Sequence, residues 1–525
     1  MIDLLVRYGV AIHVALMVVF SSWARGGSSP YYAWALPWLA LGIVEMMLLM
    51  PPRNKEDSPR GAVRRMVRAV FVDPVTYIGL FLLAFLVIQW LNGPCELEFD
   101  HASQMWEYTD PPIANLPFCM DRGEALHVLL WFVGIVAAVI AVRHGMKNAG
   151  RIALLRMLVA NGALLSLLGI AQALTSSSGP GVPGVLFWYR QMPVYFFSTF
   201  GYPNHAGTFF VMLTAINIGL LIHAIAERDG ADKGRHWLGF SLVLNAAGIY
   251  FSLCRAAMVL GTLVIVVGGL YGALYLHKTM TRGERISFAC FFVIFLLGVA
   301  GAPALPGSPL LKEVKTIDVA HLANVYVGDR QKLVDSAVSI WMDYPWTGVG
   351  GWGFRRFVGL YLSPEEWDYL LSAGRANVHN DAVQFLCEHG AIGFGLMCAL
   401  VISLLAHFLF RLGQMERKVS ELGTPSTWFG SISPVSLSCL AAVAAMAVHS
   451  TIDLPFRSIA TMLVWFIALS CMPYLILKRK AKPKNLVALP PPQPRHHHHH
   501  HDSEGGVGRH HGHHDHHHDV AQTKF

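Results

Sequence analysis

Arg190, Arg255, Arg330 and His379 stand out in a chain that carries few charges. A guanidinium stays ionised and pairs bidentately with phosphate oxygens. An imidazole, with an ordinary pKa of about 6.5, can act as a general base at neutral pH. Together these groups suit a reaction on a diphosphate: the arginines neutralise the leaving group while the histidine takes a proton from the attacking hydroxyl. The segments that hold them contain no Asp-x-Asp. Arginines would then replace the divalent metal that many sugar transferases place on a diphosphate, and no metal or other cofactor is expected. Asn204, in Tyr202-Pro203-Asn204-His205-Ala206-Gly207, and the pair Asn380-Asp381 are expected to support the site.

Each residue also has a plainer role open to it. An arginine at a membrane edge more often snorkels to headgroups than binds a substrate. Asn204 could cap a helix, as could Asn380 and Asp381. His379 alone could be a hydrogen-bonded loop residue. Arg255 differs, because Leu253-Cys254-Arg255-Ala256 leaves only a tight turn between two apolar runs. A charge there needs a partner, and an anion is one candidate.

A membrane must position these side chains. Of the 525 residues, 54% are hydrophobic and 14% charged; soluble domains carry about 25% charged residues. A hydrocarbon span takes about 20 mostly apolar residues. Apolar runs at 8–24, 32–51, 70–91, 125–145, 152–175, 205–226, 237–253, 256–276, 286–303, 388–410, 435–452 and 458–477 predict an all-α polytopic membrane protein. That is about twelve transmembrane helices. The first run is long enough to span and shows no clear cleavage site, so no cleaved signal peptide is expected. Lys and Arg crowd the even-numbered loops, for example Arg53, Lys55, Arg60, Arg64, Arg65 and Arg68 after the second run. By the positive-inside bias both termini are cytoplasmic. The candidate residues then face outward, to the periplasm in a Gram-negative cell. This asymmetry accounts for the net charge of +7 without a nucleic-acid partner.

The expected divisions are 1–303 for helices one to nine, 304–387 for a large, partly helical periplasmic loop, 388–477 for helices ten to twelve, and 478–525 for a disordered cytoplasmic tail. A loop well over about fifteen residues usually carries function or is disordered. Arg330 begins an amphipathic pattern with Leu333, Val334, Ala337, Val338 and Trp341, which predicts a helix. Pro345 and the glycines at 348, 350, 351 and 353 should end it. Cys95 and Cys119 share the outward loop 93–124, where an oxidising compartment permits a stapling disulfide. The tail holds thirteen His between His496 and His518. It is either a metal-binding tract or a solvated tail outside the main activity.

At these residues the sequence resembles the O-antigen ligase family, within the larger O-antigen polymerase and ligase superfamily. Tyr202-Pro203-Asn204 resembles that family's Asn-Pro-Asn opening of a span. Cys254-Arg255-Ala256 resembles its Ser-Arg-Ser/Ala turn. Arg330 followed by Trp341, Pro345, Gly348 and Gly350 resembles the start of its large loop. His379-Asn380-Asp381 with Glu388, Gly390 and Gly393 resembles the end of that loop. Tyr202 and Cys254 depart from the pattern and put auxiliary hydrogen bonds in doubt, not the roles of Asn204 and Arg255.

The resemblance implies a GT-C-type membrane fold and an inverting, metal-independent glycosyl transfer at the periplasmic face of the inner membrane. The donor would be a polysaccharide on undecaprenyl diphosphate, and the acceptor a sugar hydroxyl of lipid A–core. His379 would be the base, with Arg255, Arg330 and more weakly Arg190 on the diphosphate. A polymerase and a protein O-oligosaccharyltransferase share these motifs. The ligase is the first expectation, because protein-directed relatives usually add a further C-terminal domain. A lipid-linked glycan transporter would instead place charges at midplane depth in broken helices, whereas the candidates here crowd one face.

Overall fold

The computed structural model describes residues 2–27, 32–54, 57–102, 105–175, 196–227, 234–277, 327–363, 377–421 and 432–476, with scattered positions from 280 to 293. Arg190 and the tail 478–525 lie outside the described residues, as does most of the expected span 286–303. The helices are α1 (Ile2–Trp23), α2 (Ala35–Leu49), α3 (Pro59–Val72), α4 (Pro74–Leu91), α5 (Arg122–Ile140), α6 (Asn148–Thr175), α7 (Pro203–Ala226), α8 (Arg235–Phe251) and α9 (Arg255–Leu276). There follow α10 (Val327–Asp343), α11 (Asp381–Glu421), α12 (Pro434–His449) and α13 (Ile459–Cys471).

Among the described residues, six helical stretches are long and apolar enough to cross a membrane: Pro74–Leu91, Arg122–Gly145, Asn148–Gln172, Pro203–Ala226, Arg255–Leu276 and Asp381–Arg417. Shorter apolar helices cover Arg7–Trp23, Ala35–Leu49, Pro434–His449 and Ile459–Tyr474. Local sequence explains several starts. Asp73, Ser433 and Ser458 each accept a backbone N–H of the first turn, and proline follows directly at 74 and 434. Every residue of α13 is buried, and α7 is buried over most of its length.

Two elements depart from the expectation. The basic stretch after α2 is not a bare loop but the helix α3, with Ala62 and Met66 buried and Phe71 and Val72 exposed. The loop 93–124, expected to face outward, contains an antiparallel hairpin, β1 (Leu97–Asp100) with β2 (Met105–Tyr108), in register Leu97↔Tyr108. The described residues are therefore helical with one added hairpin.

The amphipathic helix expected from Arg330 is present as α10, which buries Leu333, Ala337 and Ile340. These residues join Cys95, Phe118, Met120, Val349, Phe354, Phe357, Val378 and Cys387 in a second hydrophobic core. The stretches around Cys95 and Phe118–Met120 thus pack against 333–358 and 378–387. The expected disulfide partners lie together in this region. The Cys95 N–H donates to the Cys119 carbonyl at 3.3 Å, and both side chains are buried free thiols. Burial first pushes the Cys95 thiol to about 11 and that of Cys119 to about 12.

The helix at the expected tenth span begins at Asp381, not 388, and is broken at Gly390. Gly390 has φ +61°, and a Cβ there would sit 2.4 Å from Thr347 N and Trp346 C. The segment 345–350 runs into the break. Val349 and Gly350 donate to the carbonyls of Cys387 and Glu388, while Ala391 and Ile392 donate to those of Pro345 and Trp346. Gln89 of α4 adds bonds to the Thr347 and Glu388 carbonyls at 3.1 Å each. Broken backbone inside a bundle survives only where such partners satisfy it.

Candidate active site

The starts of α7, α9 and α11 and the link from α12 to α13 meet around one carboxylate, Asp453. Gly207 lets this happen. A Cβ at 207 would come within 2.6 Å of Ala257 Cβ and 2.8 Å of Cys254 Cβ, so α7 and the 252–254 turn touch without intervening side chains. Asp453 is 4% exposed. It accepts from the Tyr202 hydroxyl at 3.0 Å and from the Leu454 N–H at 2.9 Å. Asn204 Nδ2 donates to its other oxygen and to the Tyr202 hydroxyl. His379 Nδ1 lies 3.4 Å from Asp453 Oδ1. Arg330 Nη1 donates to the Ile452 carbonyl at 2.7 Å, one residue away.

Burial opposes ionisation of Asp453. The hydrogen bond from His379, with the charges of His379, His449 and Arg330, nevertheless holds its carboxyl down at about 2. Tyr202 moves the other way: burial and the neighbouring carboxylate raise its hydroxyl far above the ordinary tyrosine range. It therefore remains a donor. Cys254, at the cap of α9, accepts from the Ala257 N–H and lies 3.9 Å from His449 Nε2. Burial raises its thiol to about 12; the Asp453 charge adds to this and Arg255 opposes it.

The structure thus gathers Asn204, Arg330 and His379 around Asp453 and puts Arg255 at the adjacent turn. Arg190 is outside the described residues. Asn204 is not a cap; it sits one residue inside α7 and points its amide at Asp453. Asn380 is a cap, since its Oδ1 accepts from the Val383 N–H at 3.2 Å. Asp381 instead ties α11 to the next link, accepting from the Phe456 N–H at 2.8 Å. Beyond it Arg457 pairs with Glu388 at 2.7 Å and stacks on Trp352. No group of three or more His, Cys, Asp or Glu side chains converges as metal ligands among the described residues.

Asp453 is the residue that the sequence reading did not identify. Its signal was a carboxylate in the short link Ile452-Asp453-Leu454-Pro455-Phe456-Arg457 between two apolar runs. That is the same argument that singled out Arg255.

Asp453 and His379, with Arg330 and Arg255 nearby, are groups of the kinds that can move a proton and pair with an anion. Residues 240–398 match the family model described as O-antigen ligase. This match supports membership of the O-antigen ligase superfamily. The matched segment includes Arg255, Arg330 and His379, while Asn204 and Asp453 lie on either side of it. No curated protein matches the chain.

Proposed function

We propose that the chain is an O-antigen ligase, transferring polysaccharide from undecaprenyl diphosphate to a sugar hydroxyl of lipid A–core. It would sit in the inner membrane as a GT-C-type protein of about twelve spans, termini in the cytoplasm and His379 in the periplasm. The observation that supports this reading best is the Asp453–His379 pair with Arg330 bonded to the same link.

With Nδ1–H given to Asp453, the basic nitrogen of His379 is Nε2. It takes the proton of the acceptor hydroxyl as that oxygen attacks the anomeric carbon. The bond from that carbon to the diphosphate oxygen breaks, and attack from the opposite face inverts the centre. Asp453 stabilises the imidazolium that forms without itself taking the proton. Arg255 and Arg330, with Arg190 a weaker third, carry the charge of the departing diphosphate. Such a leaving group needs no separate general acid and no metal. The lipid tail would enter from the side. A mostly apolar cavity of 170 Å³ lined by Phe385, Phe394, Met397 and Trp465 suits it, with Asp381 on its wall two residues from His379.

The test is transfer in vitro by the purified full chain with EDTA present, using undecaprenyl-diphosphate glycan and lipid A–core. Transfer by the wild type that disappears in His379→Ala supports the reading. Glycan elongation or peptide modification without transfer to lipid A–core would move it to the polymerase or the protein-directed enzyme.

A further inference from the structure

α5 continues beyond Ile140 as a π-turn, Ala141–Gly145, and the chain then enters α6 through Met146 and Lys147. The stretch from Arg122 to Gly145 is 24 residues, so this end lies about 36 Å along the helix from the end near the 327–363 segment. A cavity of 340 Å³ opens there. Three cations from three separate segments line it: Arg7 of α1, Arg53 after α2, and Lys147. Ala149 and Gly150 of the first turn of α6 complete one wall. That turn has no acidic residue, and the helix it opens is 28 residues long. Its dipole adds positive potential at the same wall. No carboxylate is among the lining residues. Asp57, close by in sequence, already accepts from Arg65 and from the Asn54 N–H.

The surroundings place the cavity at a headgroup level. Arg65 of α3 donates to the carbonyl of Pro52, a lining residue, at 2.8 Å, so α3 is fastened to the rim. α3 carries Arg60, Arg64, Arg65 and Arg68 together with exposed Phe71 and Val72. A basic helix of this kind lies in a membrane interface. Met50 and Val10 line the cavity beside the cations, which suits a ligand that is part phosphate and part glyceride better than a bare ion.

We propose that this cavity binds the phosphate of an anionic glycerophospholipid, of the phosphatidylglycerol or cardiolipin class, at the end of the bundle away from His379. Arg7, Arg53 and Lys147 hold the phosphate oxygens, and the α3 face seats the acyl chains alongside. The site is independent of the ligase reading, since none of its groups takes part in that chemistry.

The experiment is native mass spectrometry of the full chain in detergent, titrated separately with phosphatidylglycerol, phosphatidylcholine and inorganic phosphate. Wild type, the double variant Arg7→Ala/Lys147→Ala and the α3 control Arg64→Ala are compared. All three positions are exposed, so the variants should fold. Phosphatidylglycerol should bind the wild type and Arg64→Ala about tenfold more tightly than it binds the double variant, with phosphatidylcholine weak throughout. Inorganic phosphate matching phosphatidylglycerol on the wild type, and lost in the double variant, would keep the anion site and make its source soluble. Equal phosphatidylglycerol binding by wild type and double variant, or an equal loss in Arg64→Ala, overturns the proposal.

Discussion

Asp73 and Asp453 are two buried carboxylates with histidine and arginine nearby, at opposite ends of the protein's helices. At Asp73 the partners close on it completely. Arg143 donates through Nε at 2.6 Å and Nη2 at 2.9 Å, and His144 Nε2 adds a contact at 2.7 Å. Arg143 is 6% and His144 12% exposed. Burial resists the charge, yet the bonds to His144 and Arg143 hold the Asp73 carboxyl well below its ordinary range. At Asp453 the bonds come from Tyr202, Asn204 and a backbone N–H, and the histidine beside it keeps 27% of its side chain exposed. The same residue types make a lock when both partners are consumed by the pair. Around Asp453 the histidine is instead left with an accessible face.

The largest effect should come from breaking the open cluster at its exposed member. His379→Ala should lower transfer by about 10²–10⁴-fold, the range for a lost general base, with the unfolding temperature little changed. Single-turnover transfer alongside thermal unfolding measures both. Asp453→Asn should lower transfer by roughly 10²-fold or more, because the amide no longer fixes the ring or stabilises the imidazolium. Asp73→Asn should do the reverse. Removing one partner of a buried pair costs about 3–5 kcal/mol of stability, while transfer per folded molecule stays the same. A Asp73→Asn protein that is stable and inactive would sink the comparison.

A smaller effect concerns pH. A carboxyl whose folded pKa is depressed contributes stability above its unfolded value, about 3.9, and loses it as pH falls through the folded value. For Asp453 that loss is centred near 2. Its contribution should therefore be flat from pH 5 to 8, and a decline in transfer over that range reports another group. The smallest effect lies at Cys95 and Cys119. Burial raises Cys95 to about 11 and Cys119 to about 12, so both thiols should react slowly with maleimide at pH 8 in the folded protein and rapidly after unfolding. If neither reacts in unfolded, unreduced protein from an oxidising compartment, the pair is a disulfide there.

Arg255, Arg330, Asn204 and His379 were legible because polar groups are few among these apolar runs. Asp453 was hidden by its neighbour: Asp453 and Arg457 in one short link look self-neutralising. Folding separates them, giving Asp453 to His379 and Arg457 to Glu388. The break at Gly390 was hidden for a different reason. Hydropathy does not register a helix interruption whose bonds are supplied by a segment some forty residues earlier. The hairpin strands are four residues each, too short for alternation to stand out from an acidic cluster. α3 was hidden because its arginines mark a loop in a topology count, whereas their spacing places Ala62 and Met66 on one buried side.

His379 holds φ at +55°, a left-handed backbone that a side chain adopts at a cost of order 1–3 kcal/mol. Glycine visits that region freely. His379→Gly should then form the site more readily than His379→Ala and leave a vacancy the shape of the missing ring beside Asp453. That makes it the variant for chemical rescue: added imidazole, seated against the carboxylate, should restore part of the transfer in proportion to its concentration. A merely structural histidine would give no such dose response.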